Sequence, residues 1–225
     1  PDALAQHYGP TLAEDRSSQG RVAAAVGLVD RLVTVVGIFG IGQPPTGSKD
    51  PIALRRASLA VLRILVEKQI DVYLRECLTK AAAQFTRGVI KEGTVDDVFA
   101  YMIERFRAWY EEENIPVEVF KAVTATNPVR PLDIHRRVHA VHAFSLLPEA
   151  QALAAANKRV ANILGKLEAG HTFGDVSTDL LAEAQEHSLH NALHELAPVS
   201  RQHLLEGDYT AALSALAGLR DTVDA

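Results

Sequence analysis

Lys158, Arg159, Asn162 and Lys166 lie within nine residues of one another. At 100° per residue they share one side of a helix whose other side carries Leu153, Ala156, Val160, Ile163, Leu164 and Leu167. Cations spaced along a helix face suit a phosphate backbone, and an amide among them can reach a base edge. The same residue types also make a solvated face, so the pattern alone leaves both readings open. Arg137, in the helical stretch before it, extends the basic set. Asn157 falls at the border of the apolar side, where a structural hydrogen bond is the expected use.

Other candidate constellations are weaker. The run Gly42-Gln43-Pro44-Pro45-Thr46-Gly47-Ser48-Lys49 has the outline of a phosphate-binding loop. That loop needs Lys directly after its second Gly and then Ser or Thr, whereas here Ser48 precedes Lys49, and two prolines remove backbone donors. A tight loop between buried helices is expected instead, with Lys49 a candidate contact to an RNA phosphate. His135, His139 and His142 share a narrow helix face, as do His187, His190 and His194. Neither row brings the carboxylate that would complete a catalytic zinc site, so no metal is expected. No Ser/His/Asp or Cys/His arrangement and no paired carboxylates suggest a catalytic centre. Tyr101, Trp109, Tyr110 and Tyr209 read as helix-packing residues.

These residues must be carried by helices. Apolar spacing of the helical kind dominates the 225 residues, no convincing strand pair is present, and start signals recur at Asp50-Pro51, Thr94 with Asp97, Pro116, Pro131, Pro148 and Ser177. The stretch after Pro51 is apolar around most of its circumference, with only Arg56, Arg63 and Glu67 as a polar strip, so it is expected at the centre of a first domain. Charge meets proline at Glu111-Glu112-Glu113-Asn114-Ile115-Pro116, which sets the expected boundary between residues 1–112 and 113–225.

Composition is ordinary for a globular protein, with 48% hydrophobic and 23% charged residues. The net charge of −5 argues against a surface that grips nucleic acid everywhere. Its distribution is uneven: six cations face two anions between Arg130 and Lys166, and ten anions face two cations from Glu168 onward. A local nucleic-acid contact follows better than a global one. Cys77 is the single cysteine, so no internal disulfide can form and a reducing cytoplasm is the expected setting. Asp30 and Arg31 interrupt the apolar run around Val26 to Ile41, and no membrane span is expected. The start at Pro1 without methionine suggests a piece of a longer protein.

The segment Gly37-Ile38-Phe39-Gly40-Ile41-Gly42 through Asp50-Pro51-Ile52-Ala53-Leu54-Arg55-Arg56 resembles the signature of the β subunit of bacterial-type glycyl-tRNA synthetase. Ala154-Ala155-Ala156-Asn157-Lys158-Arg159-Val160-Ala161-Asn162-Ile163-Leu164 is similar to that family's anticodon-binding region, in the right order and at a fitting distance. Arg105-Phe106-Arg107-Ala108-Trp109-Tyr110, Arg130-Pro131, Arg137, Gly207-Asp208-Tyr209, Ala212-Leu213 and Leu219-Arg220 extend the likeness over essentially the whole chain.

The resemblance implies an all-α protein: the later part of an HD-like helical domain, then a truncated anticodon-binding domain similar to that of arginyl-tRNA synthetase. It implies a tRNA(Gly)-binding part of an enzyme whose α subunit holds the catalytic site and uses ATP and Mg, with no cofactor in this fragment and neither DNA nor membrane as partner. The rival readings are an HD-type metal phosphohydrolase and a helical scaffold that only contacts the α subunit. Asp30 matches the later Asp of the HD metal set. Its His-Asp partners are absent, and Val33 stands where a second Asp of the family is expected, so a vestigial position is implied.

Overall fold

The computed structural model describes residues 18–46, 50, 52–166, 174 and 176–224. These residues form ten α-helices and one 3-10 turn, and none of them lies in a β-strand. The helices are α1 (Ser18–Gly40), α2 (Leu54–Glu67), α3 (Leu74–Ala82), α4 (Thr94–Glu112), α5 (Val117–Thr124), α6 (Pro131–Ser145), α7 (Pro148–Leu164), α8 (Ala184–Glu206), α9 (Tyr209–Ala217) and α10 (Arg220–Asp224). The chain is all-α, as expected. Residues 167–173 lie outside the described residues.

Two compact units result, residues 1–135 and 136–225. This division falls later than the charged run near Glu112. Ile115, Val119, Phe120 and Val123 explain why, since all four are buried and Phe120 lies 5.9 Å from the Tyr110 ring. The charged run therefore marks a helix end, and the chain after it returns to the first core.

That core is built by α1, α2, α3 and α4, each touching the others or α1. Val35 and Val36 of α1, Val61 and Leu62 of α2, Leu74 and Leu78 of α3, and Met102 and Phe106 of α4 are fully enclosed. The Phe106, Trp109 and Tyr110 rings stack at 5.5 to 5.8 Å. Arg63 lies over Trp109, so one member of the polar strip of α2 also serves as packing. Cys77 is half-buried on α3, and burial raises its thiol pKa.

Two sequence expectations need correction here. The helix expected from Pro51 begins at Leu54, because Ala53 takes a left-handed conformation with φ 55° that no helical path can include. Asp50 still serves the helix start, its carboxylate accepting from the backbone N–H of Leu54 at 2.7 Å and of Arg55 at 3.0 Å. The second concerns α1. Val22–Gly40 is long and apolar enough to cross a membrane by length and composition, with a mean hydropathy of 2.0, despite Asp30 and Arg31. In this structure it lies against α2, α3 and α4.

The second unit has a thinner core. Val138, Ala140, Ala150, Ala156, Ser200, Tyr209, Ala212 and Leu219 are its buried residues, and most are small. Helix α8 opens with a reciprocal cap, Glu186 accepting from the backbone N–H of Glu183 at 3.0 Å. It closes on Gly207, whose φ of 76° ends the helix at little cost. Asp208 then caps α9 through the backbone N–H of Ala211, and Ser200 donates to the Ala212 carbonyl at 3.2 Å. Arg220 pairs with Glu149 at 3.8 Å and ties α10 to α7.

Candidate nucleic-acid interface

Helix α7 starts where the sequence signals it. Pro148 occupies the first turn after an extended Leu147, and Glu149 complements the positive end of the helix. Six alanines between Ala150 and Ala161 favour the helix without demanding burial. Ala150 and Ala156 are buried, and they fix which side faces the second unit's core.

Lys158, Arg159, Asn162 and Lys166 are all exposed. Lys158, Asn162 and Lys166 follow one another at intervals of four, so they form a row of roughly 12 Å at ~1.5 Å per residue. Neither Lys158 nor Lys166 has an acidic partner among the described residues. Lys166 lies in the turn that ends the helix, its backbone N–H bonded to the Ile163 carbonyl at 3.1 Å, where a cation also complements the helix dipole. A row of cations of this reach can follow a nucleic-acid strand and displace its counterions.

The opposite side of α7 departs from expectation. Val160 is 52%, Ile163 62% and Leu164 46% exposed, so the last turns of the apolar face have no cover among the described residues. Asn157 is exposed too, and its side chain has no hydrogen-bond partner among the described residues, in place of the structural bond expected of it. The helix is anchored by its first half only, through Ala150 and Ala156.

Arg137 is half-buried on α6 with its guanidinium 4.5 Å over the Tyr209 ring. This cation–π contact joins α6 to the start of α9, seventy-two residues away in sequence, so helix periodicity could not reveal it. The neighbouring Arg136 guanidinium reaches to 3.8 Å of the Cβ position at Gly207. Both arginines thus border the Gly207-Asp208-Tyr209 corner.

In the first unit, Lys49 lies outside the described residues. The end of α1 and the turn after it are closely packed at three glycines. A Cβ on Gly37 would sit 2.7 Å from Phe85 Cζ, and one on Gly40 would collide with Ile90. Gly42 has φ 77°, and a Cβ there would meet the Lys91 ammonium. The three glycines let the chain of residues 85–91 run directly against the end of α1. Lys91 is a residue that sequence reading missed, because nothing local links it to Gly42.

Asp30 is exposed on α1. Among the described residues no group of three or more His, Cys, Asp or Glu side chains is placed to hold a metal ion. His135 instead faces the Tyr110 hydroxyl, 3.2 Å from its Nδ1, and stacks on Trp109. Burial pushes the Tyr110 hydroxyl pKa well upward, so this phenol stays protonated. His190 and His194 lie with ring centres 6.3 Å apart on α8.

Residues 1–125 match the family model described as glycyl-tRNA synthetase beta subunit. Among curated relatives, the glycine–tRNA ligase beta subunit of Chromohalobacter salexigens is 50% identical over 224 residues. Those of Actinobacillus pleuropneumoniae and Haemophilus influenzae are each 46% identical over 222 residues. In all three the match covers 99% of this chain and 32% of the relative, so the chain spans about a third of their length.

Proposed function

The chain belongs to the glycyl-tRNA synthetase β-subunit family, and from that premise we propose that it supplies a tRNA(Gly)-binding part of glycine–tRNA ligase. The observation that carries this reading is the exposed row Lys158, Arg159, Asn162 and Lys166 on α7. The cations neutralise phosphates and release counterions, which adds sequence-independent affinity and fixes the register of the strand. Asn162, placed between them, is free of backbone duty and offers both a donor and an acceptor to a base edge.

The catalytic work is assigned to the α subunit in the cytoplasm, with ATP and Mg used there. Residues 1–112 act as the later part of an HD-like helical domain, and residues 113–225, whose first stretch still packs on the first core, lead into a helical anticodon-binding-type domain. Asp30 is a vestigial position in this scheme and takes no part in charging. Arg137 supports the row through Tyr209, since their contact steadies the corner between α8 and α9 on which α7 depends. A contact from Lys49 to phosphate belongs to the same proposal.

The test is tRNA(Gly) binding by the complete α/β ligase, followed by fluorescence anisotropy across a salt series. Lys158→Ala with Arg159→Ala should weaken binding and reduce the slope of log affinity against log salt by roughly one unit per lost contact. An unchanged slope would leave α7 as a solvated face. Should the same variant instead loosen the α subunit, the helical-scaffold reading takes over, a reading that the uncovered Val160, Ile163 and Leu164 favour.

A further inference from the structure

We draw no further inference here: the strongest candidate, the apolar cavity that Leu28, Val29 and Leu32 of α1 share with Leu74, Cys77 and Ala81 of α3, carries nothing, because nothing in the structure shows what covers it.

Discussion

Helices α2 and α7 both carry aliphatic residues at helical spacing, around most of the circumference in α2 and on one side in α7, and those residues have opposite fates. In α2 the residues Val61, Leu62, Ile64, Leu65 and Val66 are all buried, enclosed by α1 and α4. In α7 only Ala150 and Ala156 are buried, and Val160, Ile163 and Leu164 face outward. Periodicity tells which side of a helix is apolar, and partners elsewhere decide whether that side is covered. A helix closed on two sides reports its own surroundings through its sequence, since little polar surface is left on it. A one-sided helix such as α7 reports only a preference.

The contrast can be broken most sharply in α2. Ile64→Ala or Leu65→Ala should lower stability by about 2–5 kcal/mol, read by denaturant unfolding, because the surrounding helices cannot collapse into the gap. A loss typical of exposed sites would show α2 to be peripheral. Next in size is Gly40→Ala, whose Cβ meets Ile90, including backbone at 3.3 Å. Forcing these apart should cost about 1–3 kcal/mol by thermal or chemical unfolding, and a neutral result would mean the 85–91 stretch does not bear on α1. Asp50→Ala removes the acceptor for two helix-start N–H groups and should cost about 0.5–2 kcal/mol. Asp50→Asn, which keeps an acceptor, should recover part of that loss. At the small end, Ile163→Ala on α7 should change the stability of this chain by no more than about 0.5 kcal/mol. A larger loss would mean that Ile163 has a covering partner, and the contrast between the helices would disappear.

What was legible in the sequence follows the same division. The starts of α6 and α7 at Pro131 and Pro148 were readable because proline chemistry is local, whereas at α4 Gly93 takes the cap position and the Thr94 hydroxyl donates to the Lys91 carbonyl instead of capping with Asp97. The start of α2 was misplaced by three residues, since the left-handed turn at Ala53 has no sequence mark of the kind glycine gives. Spacing divides α7 into a basic and an apolar side, but Val160, Ile163 and Leu164 are exposed as well as Lys158, Arg159, Asn162 and Lys166, so exposure does not separate the two. The stack of Arg137 on Tyr209 and the seat of Lys91 at Gly42 were not legible, because each joins residues far apart in the chain. Asn157 was misjudged for a related reason: its expected hydrogen bond presupposed a covered neighbour that α7 lacks at that point.

The most direct test of the account separates tRNA charging from adenylate formation in one preparation. Lys158→Ala with Arg159→Ala in the complete ligase should lower aminoacylation of tRNA(Gly) at limiting tRNA, with the loss largest at low salt and narrowing as salt rises. Glycine-dependent ATP–pyrophosphate exchange should stay at the parent level if, as proposed, the row on α7 acts on the tRNA alone. Melting temperature should also be unchanged, since both side chains are exposed. If the double variant charges limiting tRNA(Gly) as fast as the parent, the basic face of α7 is solvated surface and the central claim is wrong.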